Sequence, residues 1–183
     1  FSDETLGGFE EADAESYAEI RSHFRYWTDI DTFYGDTCVT STGHGFCGLA
    51  RKTLLEILQR RCEALGVKLH FEHHIDDVTP YLDADLVVAG DGINSLIREK
   101  FAAHFQPSLD WRECKFTWLG TTKPMDAFTF IFRANEHGLF RVHAYPFEEG
   151  LGTFIVECRE ETWKRAGLDQ ATEEETVAYM HTM

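Results

Sequence analysis

The chain has 183 residues, 43% of them apolar, including 15 Phe, 6 Tyr and 4 Trp. That is a globular composition, long enough for one domain or two small ones with a substantial core. The net charge of −15 argues against nucleic acid and against anionic membrane surfaces. No apolar run nears the roughly 20 residues of a membrane span. An anionic ligand therefore needs a local positive site, for which Arg51, Lys52, Arg60 and Arg61 on one helix and Arg98 and Lys100 on another are the candidates.

Cys38, Cys47, Cys62, Cys114 and Cys158 are scattered and form no CxxC pair, the pattern of a reduced, cytoplasmic protein without structural disulfides. The opening Phe1-Ser2-Asp3-Glu4 lacks the form of a signal peptide. No ligand cluster has zinc-site spacing, and His70, His73 and His74 around a short predicted strand read as solvated or internally satisfied side chains.

In chain order, Ser2 opens a short helix that Gly7-Gly8 is expected to end. Ala14 to Trp27 reads as an amphipathic helix with Tyr17, Ile20, Phe24 and Trp27 in its stripe. Asp29–Tyr34 and Thr37–Thr42 alternate around Gly35-Asp36, a hairpin signal. Gly43 to Gly48 is glycine-rich without the G-x-G-x-x-G spacing. It is either a plain connector or a loop passing close to a ligand. Leu49 to Leu65 is the strongest helix, closed by Gly66.

Val67–Phe71 and Asp83–Ala89 are expected strands, the second a buried parallel one through Leu86, Val87, Val88 and Ala89. It runs into Gly90-Asp91-Gly92, and a helix capped by Asn94 or Ser95 follows. An acid between glycines at a strand-to-helix turn suits close backbone approach, and the helix N-terminus offers N–H groups to a phosphate. The competing reading is an ordinary turn.

After Pro107 four aromatic-rich strands are predicted, Lys115–Thr121, Ala127–Arg133, Leu139–Phe147 and Gly152–Cys158, paired antiparallel. Phe128, Phe130 and Phe132 share one face of the second. On the third, Phe140, Val142 and Ala144 lie on one face and Arg141, His143 and Tyr145 on the other. Two helices follow, Glu160–Ala166 and one from Thr172 with Glu175 completing a capping box. The fold expected is α+β: part of an α/β nucleotide-binding layer, then an antiparallel aromatic-rich sheet with flanking helices.

The apolar strand with Asp91, Gly92, Ser95 and Arg98 in order resembles the second nucleotide-binding motif of flavin-dependent aromatic monooxygenases. The succession of elements is similar to the middle of the para-hydroxybenzoate-hydroxylase-like flavoproteins. Within them the segments at 1–6, 43–67, 84–99, 116–130, 137–147 and 153–163 most resemble salicylyl-CoA 5-hydroxylases and 2-aminobenzoyl-CoA monooxygenases. The tryptophan hydroxylases of violacein synthesis look like more distant relatives.

The resemblance implies an FAD-binding part at 1–106 that lacks the first G-x-G-x-x-G unit, and a substrate domain at 107–183 that is cut short at its C-terminus. It implies that Arg51 approaches the flavin pyrophosphate and that Asp91, Gly92, Ser95 and Arg98 border the cofactor. FAD, NAD(P)H and O2 would serve hydroxylation of an aromatic ring, as a free small molecule or a CoA thioester. His143 and Tyr145 are the candidates for polar substrate contacts, unless their face is simply the solvated side of the sheet. The glycine-rich 43–48 segment would be the one that nears the flavin. Alternatives are a non-catalytic α+β ligand- or partner-binding module, and a related hydroxylase of a free phenol or indole. Faces left by truncation are expected to be covered by self-association as a homo-oligomer.

Overall fold

The computed structural model describes residues 1–182. Its elements in order are α1 (Asp3–Ala12), α2 (Ala14–Ser22), β1 (Arg25–Trp27), β2 (Ile30–Tyr34), β3 (Thr37–Ser41), β4 (Phe46–Gly48) and α3 (Arg51–Ala64). Then come α4 (Leu96–Lys100), α5 (Ala102–Phe105), β5 (Cys114–Thr121), β6 (Phe128–Asn135), β7 (Gly138–Glu148), β8 (Leu151–Arg159), α6 (Glu160–Arg165) and α7 (Glu173–Met180). The fold is α+β. The chain divides into two compact units, Phe1–Val67 with the residues from Glu113 onward, and Lys68–Arg112.

The centre of the first unit is a six-stranded sheet in the order β3-β2-β6-β7-β8-β5. β6, β7, β8 and β5 pair antiparallel, as their alternating patterns and short links require. β2 joins β6 in parallel, with Ile30 opposite Phe128, and brings the β2–β3 hairpin with it. The sheet thus draws strands from both sides of residue 106. The alternation along β7 sorts its residues between two environments. Phe140, Val142 and Ala144, with Val156 and Cys158 of β8, are buried beneath Leu168 of the α6–α7 link and Met180 of α7. α7 is held by the expected box: Thr172 Oγ1 accepts from Glu175 N–H at 3.2 Å, and Thr172 N–H donates to Glu175 Oε2 at 2.8 Å.

On the opposite face lies a second layer, in which Leu6, Ile20, Phe24, Cys47 and Ile57 form a core between α1, α2, β4 and α3. Here the structure corrects three expectations. α1 runs through Gly7-Gly8 to Ala12, because burial of Leu6 and packing of Phe9 outweigh the helix cost of two glycines. The helix expected to reach Trp27 stops at Ser22, and residues 25–27 become β1, paired antiparallel with β4. The 43–48 segment accordingly contains a strand. Gly48 is packed so closely that a Cβ there would sit 3.1 Å from the Pro146 carbonyl oxygen and 3.2 Å from Trp27 Cη2.

The second unit differs most from expectation. Val67–Phe71 and Asp83–Ala89 form no strands, and Leu86 and Val88 are 79% and 80% exposed. A strand exists only through a neighbour that takes up its N–H and C=O groups. Among the described residues none pairs with this run. The unit is organised instead by Val78, which is buried, and by Asp77. Lys100 and Thr79 hydrogen-bond the Asp77 carboxylate and bring its pKa down to about 2.

Candidate functional site

The face of β7 carrying Arg141, His143 and Tyr145 is not simply the wet side of the sheet. β1 and β4 cover part of it, and the space left is a cavity of about 410 Å3, within the ordinary range for small-molecule sites. Its wall follows from register. Phe130 lies opposite His143 on β7, and Ile155 of β8 lies opposite His143 on the other side. Phe128 is stacked on Tyr145 at 5.2 Å, and Tyr145 is stacked on Trp27 at 5.9 Å. Phe130 meets His143 edge to face at 4.9 Å. Phe46, Phe147 and Leu49 complete an apolar lining.

Two of the lining residues, Trp27 and His143, each carry a ring nitrogen, Nε1 and Nε2, that is buried with no hydrogen-bond partner. Such atoms are costly unless something polar meets them. Burial lowers the His143 pKa, favouring the neutral ring. The Glu157 carboxylate pulls the other way, with its Oε2 3.6 Å from His143 Nε2, while Arg141 adds to the lowering. Glu157 is itself held by Arg141, whose Nε and Nη2 donate to Oε2 at 3.0 and 2.5 Å. Sequence reasoning named His143 and Tyr145. It missed Trp27, because the aromatic stripe of residues 17–27 matched helical spacing and Trp27 was assigned to a helix core. It also missed Glu157, for which the two-residue alternation of β8 was the available signal. A larger cavity, about 980 Å3, opens on the helix-covered side around Met125, Ile131 and Val177, and is lined by none of the candidate site residues.

The expected cofactor residues divide between the two units. In the second, Asp91, Gly92, Ser95 and Arg98 do come together. Ser95 Oγ donates to Asp91 Oδ1 at 2.7 Å and accepts from Arg98 N–H at 2.9 Å, and Ile97 N–H donates to Asp91 Oδ2 at 3.3 Å. The Ser95 hydroxyl is the main cause of the lowered Asp91 pKa. The Arg98 guanidinium donates to the carbonyls of Gly92 and Ile93. Gly92 has φ +80°, and neither it nor Gly90 has anything within 4 Å of a would-be Cβ, so the backbone is open to close approach. What the turn leaves open is its backbone at Gly90 and Gly92. The first N–H groups of α4 are already capped from within.

In the first unit Arg51 opens α3, exposed, behind an Ala50 that supplies no side-chain cap. Its neighbours on the helix are committed to acids: Lys52 to Glu56, Arg60 to Glu19, and Arg61 to Asp13 and Glu15. Lys100 is likewise taken by Asp77. Of these candidates Arg51 and Arg98 are in no ion pair among the described residues, and Arg98 is engaged by backbone carbonyls. The three histidines at 70–74 are exposed. His73 contacts the Tyr81 hydroxyl and His74 pairs with Asp76, and no metal-holding group of His, Cys, Asp or Glu occurs among the described residues. Among the described residues no helix is long and apolar enough to cross a membrane.

Comparison with known proteins places this architecture. No family model matches the chain. Over 169 residues it is 41% identical to a salicyloyl-CoA 5-hydroxylase of Streptomyces sp, covering 92% of this chain and 33% of that protein. It is 33% identical to the protodeoxyviolaceinate monooxygenase of Chromobacterium violaceum over 80% of this chain and 40% of that protein. It is 32% identical to a 3-hydroxy-4-methyl-anthranilyl-[aryl-carrier protein] 5-monooxygenase of Streptosporangium sibiricum, over 82% and 42%. The chain thus spans about a third to two-fifths of the length of these relatives. Across that span the chain is related in sequence to these monooxygenases.

Proposed function

We propose that this chain is the central segment of a flavin-dependent monooxygenase that hydroxylates an aromatic ring carried as an acyl-CoA thioester. The observation that carries the reading is the ring-walled cavity around His143, in a chain 41% identical to a salicyloyl-CoA 5-hydroxylase. The overall change is substrate C–H plus O2, NAD(P)H and a proton to ring C–OH, water and NAD(P)+. One oxygen atom enters the ring and the other leaves as water.

FAD, when bound, supplies the reduced and oxygen-activating chemistry. Of this chain's residues, the open Gly90–Gly92 backbone is suited to its diphosphate, while Arg51 of the other unit is by itself an exposed cation available to an anion. Asp91, Ser95 and Arg98 shape that turn through their mutual hydrogen bonds. Phe128 and Tyr145 orient the substrate ring and keep water from it. Of the lining residues His143, whose burial favours the neutral ring, is the base suited to take the proton of a ring hydroxyl. Loss of that proton makes the ring more electron-rich and so more readily attacked. The Glu157 carboxylate then stands 3.6 Å from Nε2, where it stabilises the imidazolium formed.

The test is turnover by the complete protein containing this chain, given FAD, NAD(P)H and either salicyloyl-CoA or free salicylate. Hydroxylated thioester coupled to NAD(P)H oxidation supports the proposal. Turnover of the free acid alone would replace the thioester with a free phenol as substrate, and absence of hydroxylated product from both would remove the activity.

A further inference from the structure

The two ring nitrogens of His143 have different surroundings. Nε2 is buried with no hydrogen-bond partner. Nδ1 makes no hydrogen bond among the described residues and is not buried. The ring lines the cavity and its side chain is 27% exposed, so Nδ1 is the one of the two that an occupant can reach. Nε2 faces a carboxylate oxygen instead, Glu157 Oε2 at 3.6 Å. Register explains the contact. Arg141 lies opposite Glu157 across β7 and β8, and His143 lies opposite Ile155. Glu157 is therefore the diagonal neighbour of His143 on one face of the sheet.

A neutral imidazole carries one proton, on either nitrogen. With the proton on Nδ1, the Nε2 lone pair would face the carboxylate in a buried place, two negative ends with no donor between them. With the proton on Nε2, the positive end of an N–H faces Oε2. The carboxylate is not free to turn away, because Arg141 Nε and Nη2 both donate to this same oxygen, at 3.0 and 2.5 Å. The remaining charge at the cavity is the Phe1 ammonium, which donates to the Cys47 carbonyl oxygen at 2.7 Å. The other strands bring rings rather than charges: β6 presents Phe128 and Phe130, and β5 places Phe116 opposite Glu157 and Trp118 opposite Ile155.

We infer that Glu157, pinned by Arg141, is a positioning residue that keeps the proton of neutral His143 on Nε2 and so leaves the Nδ1 lone pair to receive the proton of a ring hydroxyl. This rests on the reading of the cavity as the ring site, but not on the flavin chemistry. Neither Glu157 nor Arg141 lines the cavity, so both act through His143. In the step itself the hydroxyl O–H bond breaks and an Nδ1–H bond forms. The products are a phenolate and an imidazolium whose Nε2–H already faces the carboxylate.

The experiment uses the purified chain with 15N in the rings of its nine histidines, at about pH 8, where His143, held below its ordinary 6.5, is neutral. Long-range 1H–15N spectra separate a protonated from a bare ring nitrogen, and His143→Phe identifies the signals. Nε2–H is expected to exceed Nδ1–H at least about tenfold. Glu157→Gln, which keeps the shape and removes the charge, should lower that ratio at least about threefold. Glu157→Leu repeats the measurement if the glutamine variant does not fold. Phenol added to the wild-type chain, its binding read by saturation transfer, should move the Nδ1 signal and leave Nε2 protonated. Nδ1–H as the main form in the wild type, or a ratio unchanged by removing the Glu157 charge, overturns the inference and leaves the ring site standing. Phenol that binds without moving Nδ1 does the same. If phenol does not bind, the ring site falls and the inference with it.

Discussion

Gly48 is where the two layers of the first unit come closest, and replacing it by alanine perturbs the cavity without touching any polar group. The would-be Cβ sits 3.1 Å from the Pro146 carbonyl oxygen, 3.2 Å from Trp27 Cη2 and 3.4 Å from Trp27 Cζ3. Carbon atoms pack best at about 3.5–4.0 Å, so either β4 lifts from β7 or the indole moves. The indole is stacked on Tyr145 at 5.9 Å and has little room to yield. Overpacking of this kind costs about 1–3 kcal/mol. With a urea m-value of about 2 kcal/mol/M, a loss of about 2 kcal/mol lowers the midpoint by about 1 M. Gly8→Ala is the control: it lies inside α1 with nothing within 4 Å of a Cβ, and it should raise stability by about 0.5–1 kcal/mol. Urea unfolding followed by far-UV circular dichroism reads both, and the near-UV signal, to which Trp27 is one of four tryptophan contributors, reports the packing of the aromatic side chains. Gly48→Ala with wild-type stability and an unaltered near-UV spectrum would refute the close-packed arrangement of β4, Trp27 and β7.

Phe140→Ala should cost about 3–5 kcal/mol in the same assay, because Phe140 is 0% exposed at the centre of the helix-covered core; a loss below about 1 kcal/mol would contradict that packing. Hydrogen bonds from Arg61 and then Ser16 hold the Asp13 carboxyl below its ordinary 3.8. The folded state binds this proton less readily than the unfolded chain. Its stabilisation is therefore fully present above the unfolded value and is lost as pH falls through the folded one. Asp13→Asn should flatten the stability–pH curve below about pH 5, and an unchanged acid limb would count against the Asp13–Arg61 pair. Glu157→Gln removes the charge that raises the His143 pKa and releases Arg141, which lowers it; the His143 titration followed by NMR should move to lower pH, and a move upward would reverse the assigned electrostatics.

What the sequence made legible was whatever local patterning decides. The β2–β3 hairpin was readable from Gly35, which has φ +59° in the turn. The sorting of Phe140, Val142 and Ala144 from Arg141, His143 and Tyr145 followed from two-residue alternation alone. The Thr172–Glu175 box was readable because it is formed within four residues. Illegible features depended on distant partners. Trp27 leaves its helical stripe because Phe46 is there to pair with it across β1 and β4. The parallel pairing of β2 with β6 joins residues about a hundred positions apart, with no local mark. Leu86 to Ala89 has the composition of a buried strand, but composition does not supply the neighbour that makes one. In the site, His143 and Tyr145 were found by face, while the unpaired Trp27 Nε1 and the Arg141–Glu157 pair beside His143 emerged only from the packing of β1, β7 and β8.

The most direct test of the central claim supplies the complete protein containing this chain with FAD, NAD(P)H, 18O2 and salicyloyl-CoA, and weighs the product by mass spectrometry. One 18O atom in a new ring hydroxyl, with that yield sharply reduced by His143→Phe, is the result this account expects. Consumption of NAD(P)H with no label in the ring, or full labelling in His143→Phe, would contradict it.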